Sequence, residues 1–289
     1  GVALDAADGA SRAFGDATLD SRFTSWSMGK SVVSALVGAA LEDGSIRSLD
    51  DEVADYVPWL AGTAYAGVAL RDVLTMSSGV AFSEDYDALF SDIRTTFYRI
   101  IFIGGRIEDV VRAQRSGSRP GVASRYRSID AQVLGLVLEA ATGRPLARYL
   151  GEKIWAPLGM EADAYWNTDR AGDGGIELAF CCLNARLRDY GRFGRLMANG
   201  GVWRGRRILP AAFVAESVTP QRPFQQPGAI ADTPFGYGYQ WWLPAGDEGE
   251  FMAIGVYGQY LYVNPAADVV IVKTSADSKH HMNDTESLA

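Results

Sequence analysis

The sequence predicts an α+β fold in which helices flank an antiparallel sheet. Three observations carry that reading. Apolar residues recur at helical spacing through the first two-thirds of the chain, most clearly over 28–41 and 129–141. The last part changes to aromatic and β-branched runs over 237–243, 251–256, 259–263 and 269–274, with Asn264-Pro265-Ala266-Ala267-Asp268 as a turn between the last two. There is no internal repeat or low-complexity tract, so helices and strands are grouped along the chain and do not alternate.

Taken in order, residues 1–24 read as irregular, a loop through Asp16-Ala17-Thr18-Leu19-Asp20 leading to Phe23. Over 28–41, Val32, Val33, Leu36, Val37, Ala40 and Leu41 mark a helix, and Gly44 is placed to cap it. Asp50-Asp51-Glu52-Val53 opens a short helix with acids in its first turn, and 70–76 reads as another, stopped near Gly79. Residues 97–102 are aromatic and apolar, 107–113 are amphipathic, and 115–121 form a loop rich in Ser, Gly and Arg. Helices follow over 129–141, 145–154 and 186–198, the first ended by Thr142-Gly143 and the last by Asn199-Gly200-Gly201.

The chain has 289 residues, 48% hydrophobic and 21% charged, enough for a large core. A net charge of -8 with no Lys/Arg-rich run argues against a nucleic-acid surface. No apolar run is long enough for a membrane span; 133–141 is too short and Glu139 interrupts it. The cysteines, Cys181 and Cys182, are neighbours, a spacing that strains a disulfide, so two small buried side chains without a bridge are expected. Histidines number two, too few for a metal centre, and the chemistry expected below needs no metal or organic cofactor.

The same shortage narrows the chemistry. His280 and His281 sit side by side in a polar tail that reads as a solvated end, and there is no G-x-S-x-G elbow. A serine nucleophile here needs another base. Lysines occur at positions 30, 153, 273 and 279, so Ser27-Met28-Gly29-Lys30 is the one S-x-x-K in the chain. Three residues apart on a helix, the two side chains share a face. Ser27 at the helix start gains from the free N–H groups and the dipole, which also disfavour a protonated Lys30. Burial among the apolar residues that follow lowers the Lys30 pKa further, making it a proton acceptor.

From Ser25-Trp26-Ser27-Met28-Gly29-Lys30 to Gly38 the sequence resembles the nucleophile helix of the serine β-lactamase-like, penicillin-recognising superfamily, in its 6-aminohexanoate-dimer hydrolase and carboxylesterase branch. Further stretches agree in order along nearly the whole chain. Tyr126-Arg127-Ser128 resembles the second motif, Y-x-[NS], and Ala253-Ile254-Gly255-Val256 falls where the third, K-T-G or H-x-G, stands. Glu84-Asp85-Tyr86 is similar to a segment that sets a tyrosine over the site, and Leu183-Asn184-Ala185-Arg186 begins another family-like run.

The resemblance implies a β-lactamase/transpeptidase-like fold, with a sheet lobe from 1–78 and 179–289 and a mostly helical insertion over 79–178. It implies that Ser27 attacks a carbonyl, that Lys30 takes or relays its proton, and that Tyr126 protonates the leaving group. The N–H groups of Ser27 and Val256 would form the oxyanion hole, Tyr86 would donate to a substrate amide, and Ser128, Tyr257 and Gly258 would border the substrate. Ala253 in place of Lys or His weakens recognition of a penicillin or peptidoglycan carboxylate by about 1.5–3 kcal/mol, the worth of a charge-assisted contact. The expected activity is hydrolysis of small esters or amides. A β-lactamase or D-alanyl-D-alanine carboxypeptidase is the rival, and a non-catalytic penicillin-binding-like homologue the second.

Relatives add a helix and two strands in front and a closing helix behind, so missing ends are expected. The compartment stays open: the cytoplasm is favoured, while a trimmed opening at Gly1 leaves periplasm or secretion. The partner expected is a small-molecule substrate, and a homodimer is compatible with all of this.

Overall fold

The computed structural model describes residues 2–4, 10–231 and 233–277. The strands that matter to the site are β1 (Val2–Leu4), β2 (Ala10–Arg12), β3 (Arg22–Thr24), β4 (Tyr165–Trp166), β5 (Leu183–Arg186), β6 (Gly236–Tyr237), β7 (Trp242–Leu243), β8 (Phe251–Gly255), β9 (Gln259–Asn264) and β10 (Val269–Lys273). The principal helices are α1 (Gly29–Glu42), α2 (Asp92–Ile103), α3 (Ser128–Thr142) and α4 (Leu187–Ala198). Seven strands form one antiparallel sheet in the order β6-β7-β8-β9-β10-β1-β2. A smaller sheet runs β3-β5-β4, with Phe23 opposite Ala185 and Tyr165 opposite Asn184. The class is α+β with antiparallel sheets, as the sequence predicts.

Helix α1 is buried on every side from Gly29 to Ala40, because its sequence, Lys30 apart, is apolar or small all round. It packs on α3, and Phe213 presses so close to Gly38 that a Cβ there would meet the ring at 2.5 Å. Gly143 ends α3 in the left-handed conformation, φ 64°, that glycine adopts without cost. Helix α4 covers β9 and β10.

Three local expectations change. Residues 1–24 carry β1, β2 and β3: Val2 pairs with Lys273 and Leu4 with Ile271, partners some 270 positions away that local composition cannot announce. The run 237–243 is two short strands. Gln240 takes φ 63°, and its amide donates to Val73 O and Leu74 O, so the chain turns back there. Cys181 and Cys182 are joined by a disulfide, which corrects the unbridged pair. Cys182 has φ 72°, a left-handed backbone that lets the neighbouring sulfurs meet. His280 and His281 lie outside the described residues. No described helix is long and apolar enough to cross a membrane, and no described group of three or more His, Cys, Asp or Glu could hold a metal.

Candidate active site

Ser27 stands on a sharp strand-to-helix turn. Leaving β3, Ser25 N–H donates to Leu183 O (2.6 Å), which anchors the chain to β5. Trp26 then takes φ 44°, a conformation worth on the order of 1–3 kcal/mol of strain for a bulky residue. A single 3-10 turn, Trp26–Met28, leads into α1. Ser27 is 8% exposed, and Lys30 one turn later 1%.

The helix step brings the two side chains together as the spacing predicts: Lys30 Nζ donates to Ser27 Oγ (2.7 Å) and to Phe180 O (2.9 Å). Burial lowers the Lys30 pKa from its ordinary 10.5 to about 8, and the Glu84 carboxylate partly opposes the drop. Near neutrality this amine therefore exchanges protons readily, and in its neutral form it can accept one from Ser27.

Tyr126 completes the cluster. Lys30 Nζ sits 4.9 Å from the centre of its ring, which stacks on Trp242 (5.1 Å) and meets Tyr237 edge-on (5.8 Å). The phenol is buried and makes no hydrogen bond of ordinary geometry. Burial, reinforced by Glu84, pushes its pKa far up; the nearby Ser27 hydroxyl works the other way. The group is thus held as a proton-bearing phenol beside the serine.

Strand β8 ends against the same turn. A Cβ on Gly255 would lie 2.5 Å from Ser25 O and 3.1 Å from Ser27 N, so only glycine permits this approach. Val256 follows at once, half-buried, and Tyr257 takes φ 63° with its ring 4.9 Å from that of Trp26. Gly258, φ 83°, turns the chain into β9 against Ser275. Ala253 faces the main core, whereas Ile254 borders the cleft beside Tyr126.

Tyr86 and Ser128 meet on a residue that sequence reasoning gave no role. Glu84 accepts from Ser128 N–H (2.8 Å), Ser128 Oγ (2.5 Å) and Tyr86 Oη (3.0 Å). Burial and the Glu84 charge raise the Tyr86 pKa. No spacing rule links positions 84 and 128; the adjacent acid in Glu84-Asp85-Tyr86 was the available signal. Trp242, Tyr237 and Ile254, which wall Tyr126, were equally unsignalled.

Two clefts meet here, with Tyr86 lining both. One, of about 750 Å³, is bordered by Tyr126, Ile254, Trp242 and Phe235; among its described lining residues Glu84 is the acid and Arg125 the cation. The other, of about 730 Å³, is bordered by Trp26, Phe97, Val256 and Tyr257 and by the outer face of α2.

Known proteins resemble the chain along nearly its whole length. The family model described as Beta-lactamase matches residues 1–287. The chain is 31% identical over 275 residues to the 6-aminohexanoate-dimer hydrolase of Paenarthrobacter ureafaciens, covering 90% of this chain and 69% of that protein. A solved Bacillus anthracis structure, provisionally named a 6-aminohexanoate-dimer hydrolase, superposes with a TM-score of 0.87 at 25% identity, over 99% of this chain and 76% of that one. A D-stereospecific amidohydrolase from Streptomyces shares the fold alone, with a TM-score of 0.70 at 17% identity over 96% of this chain and 88% of the other. The chain belongs to the Beta-lactamase family of serine hydrolases and has its β-lactamase/transpeptidase-like fold.

Proposed function

We propose that the protein hydrolyses small amides or esters through an acyl-Ser27 intermediate. The observation that carries this is the Lys30 amine 2.7 Å from Ser27 Oγ, with the buried phenol of Tyr126 alongside. Neutral Lys30 keeps one N–H on Phe180 O and turns its lone pair to Ser27, taking the hydroxyl proton as Oγ bonds to the carbonyl carbon. The carbonyl oxygen gains the negative charge and is taken by the N–H groups of Ser27 and Val256, a reading supported by the close approach of Gly255 to Ser27 N. As the C–N or C–O bond breaks, Tyr126 gives its proton to the leaving atom and is reprotonated from the Lys30 ammonium. Water then enters by the same route in reverse and releases the acid.

Amide hydrolysis is supported by the 6-aminohexanoate-dimer hydrolase relative. Ala253 and Ile254 leave β8 without the cation that would hold a β-lactam or D-alanyl carboxylate, which favours simple esters and amides. The reading is tested with p-nitrophenyl acetate and butyrate, a 6-aminohexanoate dimer, a cephalosporin and a D-alanyl-D-alanine peptide. Turnover of an ester or the dimer, abolished in Ser27→Ala, is the expected result. Full turnover in that variant removes Ser27 from the reaction, and a cephalosporin or D-alanyl peptide as the best substrate reverses the preference.

A further inference from the structure

Among the described residues, exposed large apolar side chains concentrate along the α2 cleft. Its floor is a continuous aromatic cluster: Trp26 packs on Tyr257 (4.9 Å) and Phe97 (5.9 Å), and Phe97 on Phe180 (5.5 Å). Its rim is exposed and apolar, with Phe90 at 88%, Phe102 at 72% and Ile101 at 65% exposure. Contiguous exposed apolar surface of this kind marks a binding site more often than chance. Among the described residues that line it none is acidic, and the one charged side chain, Arg94, donates to Tyr86 O.

Its position identifies the occupant. Trp26 immediately precedes Ser27, and Val256 is the second donor of the proposed oxyanion site, so this cleft lies next to the reacting carbonyl of the proposed reaction. The leaving group must lie beside Tyr126, which borders the other cleft, across Tyr86. The part of the substrate that remains on Ser27 is then the part directed along α2.

We infer that the cleft floored by Trp26, Phe97 and Tyr257 binds the acyl chain, and that the preferred acyl group is an uncharged aliphatic chain longer than butyryl. This rests on the acyl-Ser27 reading above. An ammonium-ended chain meets no carboxylate there and must lose its hydration against aromatic rings. Each methylene that moves from water onto the rings is worth up to about fourfold in kcat/KM.

The test keeps the leaving group constant: p-nitrophenyl acetate, butyrate, hexanoate and octanoate, with p-nitrophenyl 6-aminohexanoate as the charged counterpart. Wild-type kcat/KM is expected to rise from acetate to octanoate by about 10- to 100-fold, and the aminohexanoate to fall below hexanoate. Phe102→Asp and, separately, Ile101→Ser are expected to lower the octanoate-to-acetate ratio several-fold; both side chains are exposed, and the melting temperature checks the fold. A flat chain-length series with turnover still dependent on Ser27 overturns the subsite and leaves the hydrolase reading standing. An aminohexanoate faster than hexanoate overturns the charge preference. Absence of Ser27-dependent turnover with every ester overturns both. A dimer that Phe102→Asp splits, together with a flat series, makes the face an interface between copies and overturns the subsite.

Discussion

Glu84 and Ser128, separated by 44 positions, are held together by two hydrogen bonds, from N–H at 2.8 Å and from Oγ at 2.5 Å. The same carboxylate takes the Tyr86 hydroxyl and raises the Lys30 pKa. It therefore couples the start of α3, the tyrosine between the clefts and the Lys30 amine.

Glu84→Gln removes that charge. The Lys30 pKa should fall below about 8, so more of the amine is neutral at pH 7 and the acid limb of the kcat/KM profile moves to lower pH. Loss of charge-assisted bonds should also cost about 1.5–3 kcal/mol of stability. A pH–rate profile with p-nitrophenyl acetate and a urea melt check the two effects; an unmoved acid limb excludes Glu84 from setting the amine.

Lys30→Met separates reaction from stability. Activity should fall at least about 10²-fold. The folded Lys30 pKa lies below the ordinary 10.5, so the unfolded chain binds more protons between about pH 8 and 10.5, and this group's contribution to stability rises with pH across that window. Below pH 8 the fold bears a buried ammonium. Methionine removes that burden but leaves Phe180 O without its donor, for a net rise in melting temperature of roughly 2–6 °C at pH 7, shrinking toward pH 10.5. A lower melting temperature at pH 7 would show that the Phe180 bond dominates.

Tyr126→Phe keeps the ring on Trp242 and removes a hydroxyl that has no ordinary hydrogen-bond partner, so stability should be unchanged or slightly higher. Amide turnover should drop at least about 10²-fold. The p-nitrophenyl esters should lose less, because p-nitrophenolate departs without being protonated. Equal losses on both substrate types would assign the hydroxyl to serine activation instead.

The parts of the site legible in the sequence were those set by local geometry. Ser27 and Lys30 are one helical turn apart, and the apolar run after them already buries the lysine. Tyr126 came from an ordered resemblance, since nothing local marks a tyrosine as reactive. Glu84 was hidden because its partners come from separate segments. The strand at Val2–Leu4, which lies between β10 and β2, was hidden for the same reason: its pairing with Ile271–Lys273 is settled by the whole fold. The split near Gln240 depends on carbonyls at Val73 and Leu74 that a periodic pattern cannot reveal. The disulfide escaped because adjacency argues against a bridge, and the left-handed backbone that Cys182 adopts beside it is not disclosed by sequence.

Helix α1 is enclosed on every side, with Phe213 against Gly38 and α3 packed on it, whereas the outer face of α2 is largely exposed at Ile101 and Phe102. The two helices therefore face selection under different rules. Nearly any change in α1 leaves a void or a clash and is lost with the fold. Changes along the open face of α2 cost the fold little, so side chains there can vary while the Ser27–Lys30 turn is inherited intact.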